Sequence, residues 1–390
     1  MSQKGKYIKR LKTISLFGMS QLLSAFSVLI LSYLIIQFHS TELWGEYVEI
    51  LIWANVFLLF LSFGNNDYLL KLFSKNPSKI NQQWTNNLIA RSILLPPSLL
   101  LILFIPIFNH LEWIIFIVIL FQFLNQSFKS LIVYHRKFKL NIFVELSYLL
   151  SLIILVFYNL ESLNLKLLLQ IILISQGLKL LLFSIALLKD FKYIKVQFQL
   201  LELKKSIPFF IPLAIGTFRS KIDAYYGTHF FSVSQLSKYQ VFLSFLALTQ
   251  MASTFAITPY LKNYYRSSNT VIKKIQKRFF VFGWGFAVVA TVFMYLIISE
   301  IYHLDFTFQQ YGLAFLFMIP LFLQVLLVSE YYKRGKQYKI ASFASFVVFI
   351  QIIIGYFLIK YWNINGALLL KLLGQWGIVI ILWFWIKKQK

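Results

Sequence analysis

The sequence predicts an all-α, polytopic membrane protein with about twelve transmembrane helices, and three observations carry that expectation. Hydrophobic residues fill 59% of the 390 positions and charged residues only 13%, with a mean hydropathy of +0.72. Apolar runs of roughly 20 residues recur along the whole chain, each long enough to cross about 30 Å of hydrocarbon. Positive charge falls in every second gap between those runs. About 30 of the 38 lysines and arginines lie at 1–12, 65–83, 129–139, 189–205, 262–278, 333–339 and 387–390, and only Lys166 and Lys360 lie in the alternate gaps. The alternation places the basic gaps, and with them both termini, in the cytoplasm. Only helices or closed barrels span lipid. The runs lack the ten-residue alternation of barrel strands, so they are helices.

The runs, in order, are 13–37, 43–63, 86–108, 112–134, 140–159, 165–188, 207–227, 236–259, 279–299, 311–332, 340–361 and 366–386. The first is too long for a signal-peptide core and lacks a clear small-residue cleavage site, so it reads as a retained helix. Ser20, Ser24 and Ser27 line one side of it, a spacing that suits close helix packing. The third carries Asn87 and Arg91 four residues apart. The fourth carries Gln122, Asn125, Gln126 and Lys129 on one face. Glu145 and Tyr148 share a face of the fifth, and Lys179 lies deep in the sixth. On the seventh, Arg219, Asp223 and Tyr226 share a face, with Lys221 rotated away. Lys371 and Gln375 are four apart near the middle of the twelfth. Lys238, at the start of the eighth, reads as interfacial. The glycines at 283–285 and 374–377 read as packing or hinge positions.

A basic link at 189–205 divides the chain into an N-terminal six-helix bundle, 1–195, and a C-terminal one, 196–390. A shift of 192 residues aligns Leu11 with Leu203, Lys12 with Lys204, Tyr33 with Tyr225 and Tyr47 with Tyr239. Six helices per half means that both halves begin on the same side. The repeat is then parallel, about a pseudo-two-fold axis along the membrane normal.

Ionisable groups at membrane depth are costly and face a partner or a cavity. The deep groups here are mostly cationic: Arg91, Lys129, Lys179, Arg219, Lys221 and Lys371 against Glu145 and Asp223. That balance suits an anionic substrate, because Lys and Arg both bind phosphate well. Two plainer readings stay open. Lys129 and Arg91 are close enough to cytoplasmic ends to snorkel, and Arg219 with Asp223 could form a self-neutralising i,i+4 pair. A proton relay through Asp223 or Glu145 is a further alternative.

The net charge of +25 does not point to nucleic acid, because its sidedness follows membrane topology. Beside the membrane, the basic loops attract anionic lipid headgroups. There is no cysteine, which removes disulfides, thiolate catalysis and Cys-ligated metals. The five histidines are scattered without metal-ligand spacing, and no phosphate-cradling P-loop occurs. No enzyme activity, metal or cofactor is expected. A membrane glycan polymerase or ligase would need a long extracytoplasmic loop, and those gaps are short. An ion-coupled multidrug exporter would favour an acidic cavity.

Residues 34–61, LIIQFHSTELWGEYVEILIWANVFLLFL, resemble the "long apolar run, short turn, then (F/W)G-x-Y" start of Wzx-type polysaccharide flippases. Residues 62–75, SFGNNDYLLKLFSK, are similar to the "D-F-G" segment that follows it, with Ser62 in place of Asp. Residues 219–240 resemble the entry to the second half: Asp223 and Tyr239 match, and Ser237 replaces the usual Gly. Thr258–Tyr260 is similar to the small-Pro element that ends the eighth helix. The resemblance covers the whole chain in helix count and half structure, through short motifs. It implies the oligosaccharidyl-lipid branch of the multidrug and polysaccharide exporter superfamily. The expectation is then a flippase that carries an undecaprenyl-pyrophosphate-linked O-antigen or capsule unit across the bacterial inner membrane. Alternating access would rock the halves about 189–205, with the cargo passing through a cationic central cavity. Arg91, Lys129, Lys179, Arg219, Lys221 and Lys371 would hold the anionic group, and Asp223 or Glu145 would pair with them or couple an ion. The partners implied are the lipid-linked oligosaccharide, membrane lipids and the polymerase of the same lipopolysaccharide or capsule pathway.

Overall fold

A computed structural model of the chain describes residues 3–108, 110–188, 191, 201–257, 264 and 267–388, with side chains from residue 15 onward except Gln337. Most of the 189–205 link and the Thr258–Tyr260 element lie outside these residues. The described residues are almost entirely helical and contain no strand. Ten helical stretches among them are long and apolar enough to cross a membrane, so the chain is a multi-pass membrane protein.

Ten stretches and twelve apolar runs are reconciled by two features. The stretch Tyr338–Lys388 is 51 residues long, about 77 Å of helix at 1.5 Å per residue and more than twice the hydrocarbon thickness. Its backbone breaks at Asn363, with φ 47° and ψ −128°, between the eleventh and twelfth runs. The two limbs fold back so closely there that a Cβ on Gly366 would collide with the Leu358 carbonyl. The seventh run lies in the helix Leu201–Phe230, whose internal Pro208 and Pro212 and clustered charges at 219–223 lower its hydropathy.

The chain divides into two compact units, Met1–Ala214 and Ile215–Lys390. The boundary expected at 195–196 falls in the stretch that is not described. In the first unit the helices are α1 (Gln3–Phe38), α2 (Thr41–Ser62), α3 (Asn65–Lys75), α4 (Ile80–Ser92), α5 (Leu95–Leu103), α6 (Glu112–Ser127), α7 (Lys129–His135), α8 (Phe138–Tyr158) and α9 (Leu165–Leu187). Capping by Ser40 and Asn164, whose side chains accept from Leu43 N and Leu167 N, starts α2 and α9. Phe63 (φ 43°) and Gly64 (φ 69°) end α2 in left-handed backbone. Gly64 is also pressed against helix α10 (Leu201–Phe230), where a Cβ would come within 2.6 Å of Phe210 N. Glycine therefore meets two demands at one position. Helix α8 packs on α1 and α9, α6 on α2 and α9, and α3 on α7. Trp84 stacks on Phe128, with centroids 5.2 Å apart, and donates its indole N–H to Ser127 O at 2.8 Å.

The second unit holds the rest of α10, then α11 (Val233–Ile257), α12 (Asn269–Leu296), α13 (Phe308–Met318), α14 (Leu321–Lys333) and the broken α15 (Gln337–Lys388). Helices α13 and α14 pack on α12 and α15. Tyr331 sits in the apolar cluster with Leu327, Ile378 and Leu382, and its hydroxyl donates to Leu382 O at 3.2 Å. Lipid tails are as apolar as leucine, so apolar contact does not by itself distinguish helix partners from lipid. The buried polar groups therefore carry much of the specificity of assembly.

Candidate functional site

Each unit encloses its own polar cluster. In the first, Lys179 of α9 forms an ion pair with Glu145 of α8 at 2.7 Å, both side chains at least 87% removed from solvent. The ammonium also lies 5.1 Å from the centre of the Tyr148 ring, a favourable cation–π position. One turn along α9, Gln176 donates to Tyr148 Oη at 3.3 Å and accepts from Asn125 Nδ2 of α6 at 2.9 Å. The cluster is not fully satisfied. Glu145 Oε2, Gln122 Oε1 and Asn125 Oδ1 are buried without a hydrogen-bond partner, which leaves acceptor capacity facing the interior.

In the second unit, Lys371 of α15 donates to Asp223 Oδ2 at 3.2 Å, Asp223 Oδ1 at 3.3 Å and Ser220 O at 2.8 Å. The Tyr239 hydroxyl donates to the same Asp223 carboxylate. Asp223 is 1% exposed. It pairs with Lys371, 148 positions away, and not with Arg219 on its own helix. Arg219 Nη1 instead reaches Gly374 O at 3.4 Å. Lys221 lies within electrostatic reach of Lys371 and Asp223. Among the described residues neither Arg219 nor Lys221 forms an ion pair with a carboxylate.

Arg91 stands apart from both clusters, whereas Lys129 lies within electrostatic reach of Glu145 and Lys179 in the first. Arg91 is 1% exposed and donates to Asn87 Oδ1 at 2.9 Å, Ser127 Oγ at 3.0 Å and Leu61 O at 3.2 Å. Its guanidinium also lies 4.9 Å from the Phe123 ring centre. It ties α4 to α6 and to the end of α2. Lys129 is exposed at the start of α7, just after the break in the helix at Phe128. The polar face expected on the fourth run is divided accordingly: Asn125 is buried, while Gln126 and Lys129 are exposed. Ser20 and Ser27 bond back to carbonyls of their own helix, Phe17 O and Leu23 O, as packing serines do.

The structure draws notice to a relation that the sequence already contained. The shift of 192 that aligns Tyr47 with Tyr239 also aligns Lys179 with Lys371. Lys179 lies on α9 and Lys371 on the second limb of α15, and both are held by a buried carboxylate. The carboxylates do not correspond, since the same shift sets Glu145 against Gln337 and Asp223 against Leu31. Tyr239 was visible as a motif residue, but nothing local marked it as a partner of Asp223.

No protein-family profile matches the chain, and no curated protein matches it. Solved structures do match. The lipid II flippase MurJ, in an inward closed conformation, is similar over 95% of this chain and 87% of its own, at 18% identity and a TM-score of 0.70. The eukaryotic MATE transporter AtDTX14 is similar over 97% of this chain and 96% of its own, at 12% identity and TM-score 0.65. The Vibrio cholerae MATE transporter VcmN, solved as a point mutant, is similar over 99% of this chain and 97% of its own, at 14% identity and TM-score 0.58. The chain thus has the helical membrane fold of these flippase and transporter structures. At such low identities the likeness defines the fold alone.

Proposed function

We propose that this protein is a flippase for a lipid-linked oligosaccharide, acting by alternating access in a bacterial inner membrane. The cargo would be an undecaprenyl-pyrophosphate-linked O-antigen or capsule unit. Both termini would be cytoplasmic, as the basic gaps require. One observation carries the reading: in a flippase-like fold, three cations, Arg219, Lys221 and Lys371, gather around the single buried carboxylate of Asp223. Lys179 and Lys371 each have one carboxylate, while Arg219 and Lys221 have none. A phosphate-bearing headgroup supplies the missing negative charge, and its oxygens suit Arg and Lys donors. Glu145 and Asp223 hold the two lysines when no headgroup is present. Arg91 serves the fold, because its donors are directed to three internal acceptors.

Deletion of the gene tests the reading directly. Lipid-linked units should accumulate on the cytoplasmic leaflet; accumulation of unpolymerised units on the periplasmic leaflet would instead indicate a polymerase. Complementation with Arg219→Ala and Lys371→Ala should restore export poorly, and full export by both would remove the cationic mechanism. The rival is an ion-coupled multidrug exporter, favoured by the MATE structures that share the fold. Efflux of cationic dyes by the purified, reconstituted protein would support it.

A further inference from the structure

A small recess in the second unit lies apart from both ionic clusters. It is lined by Tyr295, Ser299, Leu304, Asp305, Phe306, Phe308 and Tyr311, with a volume of about 160 Å³. That is below the roughly 300–1,000 Å³ of drug-sized sites and fits one small ring. It sits in the 300–310 gap, among those that carry little positive charge. Three local features build it. A π-helical turn, Ile297–Ile301, closes α12, and such turns recur at functional sites. His303 adopts left-handed backbone (φ 50°), and Leu304 N returns to Ile298 O at 3.1 Å. A capping box between Thr307 and Gln310 then starts α13.

The walls are aromatic. Tyr295 and Tyr311 meet edge to face at 5.3 Å, and Phe306 packs on Phe242 at 4.8 Å. The polar groups are the Tyr295, Tyr311 and Ser299 hydroxyls and the Asp305 carboxylate, and no lysine or arginine lines the recess. Asp305 and the two tyrosine hydroxyls have no hydrogen-bond partner among the described residues. An anion finds no counter-charge here. An alkylammonium would match the carboxylate and the rings but would make no use of three hydroxyls. A sugar ring matches all of these: its C–H face covers an aromatic ring, and its hydroxyls donate to a carboxylate and exchange hydrogen bonds with tyrosine and serine.

We propose that this recess binds a single neutral pyranose ring, as a glycan subsite on the sparsely charged side of the membrane. Its biological ligand rests on the lipid-linked-glycan reading; the binding chemistry does not. The test uses the full-length protein in nanodiscs and saturation-transfer NMR with methyl glucopyranoside, methyl galactopyranoside, N-acetylglucosamine and tetramethylammonium. At least one sugar should receive magnetisation on its ring protons. Asp305→Ala should weaken its binding about tenfold or more, since a charged hydrogen bond is lost. Tyr311→Phe, which keeps the packed ring, should weaken it less. Binding of no sugar, of tetramethylammonium alone, or undiminished binding by Asp305→Ala overturns the subsite. If the subsite fails while gene deletion still strands lipid-linked units on the cytoplasmic leaflet, only this inference falls.

Discussion

At the scale of single residues, the decisive question is what each buried charge bonds to. Arg91 spans three acceptors from one planar fork, a geometry that a lysine ammonium does not reproduce. Arg91→Lys should therefore lose about 1.5–3 kcal/mol, seen as an earlier thermal unfolding transition in detergent, with export falling only as far as protein level falls. Lys371 and Asp223 give a sharper experiment. Removing either partner strands a buried charge, at a cost of about 3–5 kcal/mol. The double variant Asp223→Asn/Lys371→Met should unfold later than either single variant while still failing to support export. Restored export in the stabilised double variant would show that the pair is structural only. Lys179 with Glu145 permits the same cycle. The sequence showed these side chains as deep and ionisable. It did not show the pairing, because a same-helix neighbour, Arg219, competed with a distant one for Asp223, and only packing chose between them.

At the scale of elements, the breaks matter more than the helices. Gly64 combines positive φ with contact against the Phe209 and Phe210 backbone. Gly64→Ala should cost about 1–3 kcal/mol from backbone strain alone, with further loss from the clash, and should reduce the folded yield from membranes. Asn363 holds a conformation that glycine adopts more readily. Asn363→Gly should leave the thermal transition unchanged or raise it, whereas Asn363→Val should lower it; equal behaviour of the two would show that the turn carries no strain. The helices themselves were legible as apolar runs of the right length. The left-handed residues at Phe63 and Asn363 were not: phenylalanine is no turn former, and a lone asparagine between apolar runs only permits such a conformation. The interruption of the fourth run at Phe128, just before Lys129, was equally hidden.

At the scale of the whole molecule, topology is the testable quantity. The chain has no cysteine, so each introduced cysteine reports alone. Cysteines at Lys75, Lys139 and Lys336 should be protected from a membrane-impermeant maleimide in intact cells and react after permeabilisation. Cysteines at Ser162, Asp305 and Trp362 should react in both. Labelling from outside at any of the first three would overturn the cytoplasmic assignment of the basic gaps.

By itself the sequence determined the helical membrane class, the positions of the twelve apolar runs and the sidedness expected of their loops. These follow from the length of helix needed to cross hydrocarbon and from the distribution of lysine and arginine, both properties of the chain read in order. It also contained the shift of 192 that aligns Lys179 with Lys371. The tertiary structure decided which buried charges neutralise one another, that Arg91 is spent on internal carbonyl and side-chain acceptors, and where a small aromatic recess with a free carboxylate forms. Those outcomes depend on which helix faces meet. In an apolar solvent hydrophobicity does not mark the inward face, so the choice falls to side chains brought together from far apart in the chain.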